Sequence, residues 1–249
     1  MPETRTATLP SAAEIGEILH RLFIVRAGTT LRKEDVQKTH EVAGMLRELS
    51  RVRRDAALVD AAAGKASVGL VAAEVLPIGS LVVIERAPDR VAACRDAATR
   101  LSRAVPVEVR QGDVADHLAW PDRPDAVVAL HACGGASDRV IDQAVRVGTR
   151  WLFLSPCCHG ASVPFHARAL AIAGGLGCPD VATLRWRLAT ALIETERTLR
   201  LEAAGFETEV HEFVGATVTP HNLLLRARRT MQEKRMRDAA EKLARLHGR

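Results

Sequence analysis

The run from Leu58 to Gly69, LVDAAAGKASVG, constrains the fold more than any other stretch of the chain. An apolar strand ends on an acid, Asp60, and the chain then passes through a turn of small residues into a helix, which is how a nucleotide-like cofactor is usually held. A second apolar run, Leu81 to Ile84, ends on Glu85 about one βαβ unit downstream, where an acid can bind the two hydroxyls of a ribose. Turn and acid together predict a cofactor-dependent enzyme.

The remaining sequence supplies the sheet that such a turn needs. Ala57–Val59, Leu81–Ile84, Val105–Val109, Ala126–Leu130 and Trp151–Leu154 read as five strands, nearly continuous in apolar residues and mostly separated by helical stretches. That pattern predicts a parallel sheet covered on both faces. After a long helix around 181–203, Glu207–Val214 and Asn222–Arg228 predict an antiparallel pair joined by Gly215–His221. The expected fold is therefore α/β and Rossmann-like, with seven strands: five parallel, closed by an antiparallel hairpin. This is the layout of class I S-adenosylmethionine (SAM) methyltransferases, whereas a dehydrogenase more often continues in parallel βα units.

Ahead of the sheet, Ser11 and Glu14 form a capping-box pattern, and Ile15, Ile18, Leu19, Leu22 and Phe23 follow at helical spacing, with Gly28 placed to end the helix. A second helix is expected around 34–50 with the apolar stripe Val42, Leu46 and Leu49. The predicted organisation is a disordered tail over 1–10, a helical cap over 11–53, the sheet domain over 54–228 and a basic helix over 229–249. No internal repeat or low-complexity tract interrupts it.

Composition narrows the setting. No apolar run approaches the roughly 20 residues of a membrane span, and no basic-then-apolar leader pattern is present, so no membrane partner and a cytoplasmic location are expected. The five cysteines are irregularly spaced, which fits reduced thiols better than a disulfide framework. The net charge of +5 is concentrated in Arg226–Arg249, which holds nine Lys/Arg against three Asp/Glu. Such a segment either touches phosphates, as in RNA, or is a solvated helix with Met231, Met236, Leu243 and Leu246 on its apolar face.

Ligands of an open α/β sheet collect beyond the carboxyl ends of its strands. There the chain places Asp60 and Gly64, with Lys65 either meeting a carboxylate or solvated, then Glu85, then Gln111-Gly112-Asp113, whose acid can hydrogen-bond an adenine amino group. The fourth strand runs into His131-Ala132-Cys133-Gly134-Gly135 and the fifth into Pro156-Cys157-Cys158-His159. Two imidazoles and three thiols thus converge where chemistry is expected.

These motifs carry a resemblance. D-x-x-A-G-K-x from Asp60 to Ala66, H-x-C-G-x-x-(S/T)-D from His131 to Asp138, P-C-C-H from Pro156 to His159 and T-P-H-N from Thr219 to Asn222 resemble class I methyltransferase domains of the methyltransferase-like type, over about residues 34–228. Those domains are related to the ones in CHHC zinc-finger tRNA 2′-O-methyltransferases and in the glutathione S-transferase C-terminal domain-containing protein. The resemblance implies SAM as cofactor, bound by Asp60, Ala62, Gly64, Lys65 and Glu85, with Asp113 at the adenine. It implies that His131, Cys133, Cys157, Cys158 and His159 shape the acceptor pocket, His131 bordering the cofactor as well. Ala62 and Ala66 stand where the family usually has glycine, and the zinc fingers are missing.

Several readings of the cluster remain open. A direct displacement needs only alignment and proton removal, for which His131 is the first candidate base and His159 the second, each alternatively bonding only its own loop. A cysteine nucleophile, as in RNA 5-methylcytosine enzymes, is a rival. A metal is not expected, because adjacent cysteines rarely chelate one ion and no C-x-x-C is present. Asp138 is expected to cap the helix it begins. His221 and Asn222 either turn a hairpin or reach toward the substrate. The acceptor is an RNA oxygen or nitrogen, or a small molecule, and a catalytically inactive RNA-binding module is the reading from a different class. Which atom is methylated, and in what oligomeric state, is not legible.

Overall fold

The computed structural model describes residues 9–24, 33–179 and 181–248. Seven strands form one sheet in the order β3-β2-β1-β4-β5-β7-β6. They are β1 (Ala57–Ala61), β2 (Ser80–Glu85), β3 (Val107–Gln111), β4 (Ala126–Ala132), β5 (Trp151–Pro156), β6 (Phe206–Glu212) and β7 (Leu223–Arg229). Strands β1 to β5 are all parallel, while β7 runs antiparallel to both β5 and β6. Every expected strand is present, with its ends displaced by a residue or two.

The apolar strands are continuous because both of their faces are buried. Leu58, Leu81, Val83, Val128 and Phe153 point to one side, where they meet α1 (Ala12–Phe23), α2 (Lys33–Leu49), α3 (Ser67–Val75) and α4 (Pro88–Ala98). Their neighbours Val59, Ala61, Val127, Ala129, Leu152 and Leu154 point to the other, against α5 (Gly135–Val147) and α7 (Ala182–Ala203). Period-two alternation thus builds two cores from one set of strands.

Helix α1 starts with the capping box read from Ser11: its Oγ accepts from the Glu14 N–H at 3.3 Å, and Glu14 Oε2 accepts from the Ser11 N–H at 2.7 Å. Its inner face buries Ile15, Leu19 and Leu22. The expected disorder over most of 1–10 and the stop at Gly28 lie outside the described residues. Helix α2 buries Val42, Leu46 and Leu49 as expected, and Met45 with them. It also buries two acids, Glu41 and Glu48, 1% and 9% exposed. Glu48 meets Arg226 of β7 at 2.5 Å and His211 of β6 at 3.2 Å, so a polar clasp joins α2 to the far edge of the sheet.

Two helices frame the other end. Helix α6 (His166–Gly175), which the sequence did not announce, packs Ala169 with Val163, Phe165, Ala189 and Ile193 in a small third core. Helix α8 (Glu233–Leu246) lies along α7, burying Ala239 and half-burying Met236, Leu243 and Leu246, whereas Met231 stays exposed. Its Lys234, Arg237, Lys242 and Arg245 face solvent. Among the described residues no helix is long and apolar enough to cross a membrane.

Candidate active site

The turn after β1 is wound by left-handed residues. Ala62, Gly64 and Ala66 have φ of 52°, 61° and 55°. An L-residue pays roughly 1–2 kcal/mol for that conformation, so the two alanines that stand where the family usually has glycine are strained rather than obstructive. The Ala66 methyl is fully buried in the core, whereas Ala62 is half-exposed at the cavity wall. Ala62→Gly is therefore expected to stabilise the protein by about 1 kcal/mol. Ala66→Gly should gain less, because it also loses packing. Urea unfolding of both variants checks this contrast.

Asp60, 2% exposed, fixes the turn to the helix that follows by accepting from the Gly69 N–H at 2.8 Å. A Cβ at Gly69 would lie 2.8 Å from Asp60 Oδ2, so only glycine permits this approach. Burial pushes the Asp60 carboxyl up to about 7; the Gly69 bond opposes the rise and Glu85 adds to it. Glu85 at the end of β2 holds the turn from the other side, accepting from the Gly64 N–H at 2.8 Å and, with its second oxygen, from the Ala87 N–H at 2.9 Å. Each carboxylate oxygen keeps a further lone pair for a ligand hydroxyl.

Two cavities meet over this turn. One, of about 440 Å³, is lined by Asp60, Gly64, Lys65 and Lys38, with Leu19 and Phe23 of α1. The other, of about 390 Å³, is lined by Glu85, Asp113, Arg139, Cys133 and Ser162. Ala62, Arg90 and His131 border both.

His131 sits at the junction with φ of 60°, beside a shift in the β4–β5 register between Leu130 and Ala132. Such an irregularity re-aims side chains at functional sites. Its Nε2 lies 3.0 Å from Glu41 of α2, which also takes Lys38 Nζ at 2.6 Å. Burial pushes the Glu41 carboxyl up, but the hydrogen bonds from His131 and Lys38 outweigh it and hold the group at about 2. An ionised carboxylate only accepts, so His131 Nε2 carries a proton and, in the neutral ring, Nδ1 carries the lone pair. That Nδ1 is buried without a hydrogen-bond partner. Sequence reasoning missed Glu41; its one signal was an acid beside the apolar stripe of an amphipathic helix.

The structure gathers Cys133, Cys157 and Cys158, whose Sγ atoms all lie within 4.8 Å of one another. The sequence argument against a metal was that adjacent cysteines rarely chelate one ion and that no C-x-x-C is present; here, past the end of β5 at Pro156, Cys157 and Cys158 Sγ stand 3.6 Å apart. Burial and the neighbouring sulfurs push the Cys157 thiol up, and burial raises Cys133. Protonated thiols are poor nucleophiles, which weighs against the covalent rival.

His159 is not brought into this group. Its Nε2 lies 2.6 Å from Glu194 of α7, and the ring is 9% exposed. Glu194 binds Arg197 at 2.7 Å, and Arg197, fully buried, binds Asp138 at 2.7 Å and reaches the Gly134 carbonyl at 3.4 Å. Asp138 is consequently no cap: α5 begins at Gly135 with Gly134 before it, and the carboxylate serves Arg197 and Arg200 instead. Asn222 also turns inward, donating to the Val214 carbonyl at 3.0 Å, while the exposed His221 ring stands edge-on to His131 at 6.5 Å.

Residues 32–161, just over half of the chain, match the sequence profile of a family described as a methyltransferase domain. The chain belongs to this methyltransferase family. Among solved structures, magnesium protoporphyrin IX methyltransferase from Synechocystis PCC 6803 with bound SAH superposes with a TM-score of 0.51 at 16% identity, covering 86% of this chain and 94% of that one. The same enzyme with bound SAM gives 0.50 at 13% identity, covering 90% and 99%. A tRNA methyltransferase from B. subtilis gives 0.47 at 13% identity, covering 75% and 65%. These likenesses concern the fold. No curated protein matches the chain.

The residues present fit SAM, the methyl donor of class I methyltransferases. Glu85 keeps lone pairs that suit a diol and shares the smaller cavity with Asp113, while Glu34 and Asp35 put carboxyl groups on the larger cavity, where they complement a ligand bearing an ammonium and a sulfonium.

Proposed function

We propose that this methyltransferase moves the SAM methyl group to an oxygen or nitrogen nucleophile held beside His131. The observation that carries the reading is the His131 ring at the junction of the two cavities, tied through Nε2 to Glu41 at 3.0 Å, with an Nδ1 that has no hydrogen-bond partner and is covered, so that an acceptor reaches it only as the ring or its loop shifts. Bound SAM supplies an electrophilic methyl whose transfer discharges a sulfonium. The chain's own part is to hold the acceptor in line, keep water out and take a proton at Nδ1, with Glu41 stabilising the imidazolium that forms. Cys133, Cys157 and Cys158 wall the acceptor side, and His159 keeps its loop in place through Glu194. The expected domain division, with α1 and α2 as a cap over the cofactor end, accords with Leu19, Phe23 and Lys38 lining the larger cavity.

Two measurements test the cofactor assignment. Calorimetry with SAH should show binding to the wild type, and Glu85→Ala should weaken it by about tenfold to a hundredfold, since charged hydrogen bonds of about 1.5–3 kcal/mol are lost. Normal binding by the variant overturns the ribose assignment.

RNA is the first acceptor class to examine, on the strength of the exposed cations of α8 and of the motifs resembling tRNA 2′-O-methyltransferase domains. If α8 contacts phosphates, changing Lys234, Arg237, Lys242 and Arg245 to Gln together should weaken RNA binding and flatten its salt dependence by up to about four counterions. Unchanged binding and slope assign α8 to a solvated role. A small-molecule acceptor is favoured instead by the apolar side chains of α1 in the cavity wall. Nucleoside and metabolite profiles of a deletion strain separate the two, because only one modified species should disappear.

A further inference from the structure

Three thiols from two loops meet at one point, a grouping that the methyl-transfer chemistry above does not require. We propose that Cys133, Cys157 and Cys158 form a three-thiolate site for a thiophilic divalent cation of the zinc class, with its fourth position open. The inference does not rest on the methyltransferase reading.

The sulfur geometry carries it. With Zn–S bonds of about 2.3 Å, two sulfurs of a tetrahedral centre stand about 3.8 Å apart. Cys157 and Cys158 Sγ are 3.6 Å apart, and Cys133 Sγ completes a triangle with no edge above 4.8 Å. Closing that triangle on one ion takes shifts of an ångström or less at side-chain rotors.

The surrounding structure holds the triangle together. Cys133 follows the register shift of β4 and the left-handed His131, and precedes Gly134, whose φ is 56°. A Cβ on Gly134 would press on Ser162 Oγ, which can rotate away, so it is the positive φ, a conformation that side chains rarely adopt, that calls for glycine there. Cys157 Sγ rests 3.7 Å from the His131 carbonyl, which ties the second loop to the first. Behind both loops the buried chain His159–Glu194–Arg197–Asp138 fixes one to the other, with Arg197 also reaching the Gly134 carbonyl. Preorganised donors backed by hydrogen bonds are the arrangement that metal sites use to orient their ligands.

The chemistry of the donors selects the ion. Three sulfurs favour divalent ions such as zinc or cadmium over magnesium or calcium, which take oxygen. Cys157 is buried while Cys133 and Cys158 are exposed, and Cys133 lines the smaller cavity. The ion would therefore sit at the cavity mouth with one side uncovered, as zinc sites that keep an exchangeable position do.

The test uses the full-length protein, reduced with a phosphine and without SAM or RNA, so that its outcome is separate from that of the methyl-transfer reading. Titration with Co2+ should give sulfur-to-metal charge-transfer and tetrahedral ligand-field bands that saturate at one ion per chain and are displaced by Zn2+. Cys133→Ser, Cys157→Ser and Cys158→Ser should each weaken binding by about tenfold or more, while Cys178→Ser leaves it unchanged. In the unaltered protein, one equivalent of Zn2+ should protect Cys133 and Cys158 from alkylation but not Cys178, which needs no variant to fold. Absence of the bands, bands that survive all three substitutions, or alkylation of Cys133 and Cys158 unaffected by Zn2+ would overturn the site.

Discussion

His131→Ala lowers turnover by about 10²–10⁴-fold while SAH affinity changes by less than tenfold, because proton removal is felt in the transition state and not in cofactor binding. Steady-state kinetics on an identified acceptor, paired with calorimetry, separate the two quantities. Glu41→Gln tests the positioning role: kcat falls while KM for SAM holds. Its titration gives a second readout. The Glu41 carboxyl is held at about 2 against an ordinary 4.5, so it contributes stability that is present above pH 4.5 and lost as pH falls through about 2. The Gln variant lacks that part of the acid transition. Full activity in His131→Ala would remove His131 from the chemistry and leave the cofactor assignment standing.

Arg197→Ala is expected to destabilise the fold by about 3–5 kcal/mol, the cost of leaving buried carboxylates without their cation. Arg197 is fully buried between Asp138 and Glu194, both bound at 2.7 Å, so its removal leaves two buried carboxylates facing a cavity in place of their cation. Urea unfolding measures it directly. Arg200 also reaches Asp138 at 3.0 Å but is partly exposed, so Arg200→Ala should cost distinctly less. Equal losses would show that the buried position of Arg197 confers nothing special.

Much of the architecture was legible because each signal was local. Five strands followed from largely apolar runs of strand length, the antiparallel pair from two segments flanking Gly215–His221 after the long helix, and the Ser11 capping box from two residues three apart. Asp60, Glu85, Asp113, His131 and Cys133 could be placed at the sheet's carboxyl edge because strand ends define that edge. The remainder depended on partners distant in sequence. Glu41 meets His131 ninety residues away, and nothing near Glu41 announces the imidazole. Asp138 and His159 belong to motifs beside the cleft, yet α7 claims both through Arg197 and Glu194, a pairing that only the packing of that helix reveals. Helix α6 is short and made mostly of alanine and glycine beside Leu170 and Ile172, so no apolar stripe marks it out, and it is held by a core that the chain assembles from three separate segments.

The position of β7 also orders events during synthesis. Strand β5 is complete at Pro156 and the last residue proposed for cofactor or acceptor, Cys158, follows two positions later, yet the outer edge of β5 pairs with β7, which ends at Arg229. At about 5–20 residues per second the ribosome takes on the order of several seconds to supply that partner. During the interval the nascent chain carries an open strand edge flanked by Leu152, Phe153 and Leu154, the kind of surface that recruits other chains. A chain stopped short of residue 223 would possess the whole proposed chemistry and still be prone to aggregate, so the proper arrival of its last strand, rather than of its reactive groups, governs the yield of active protein.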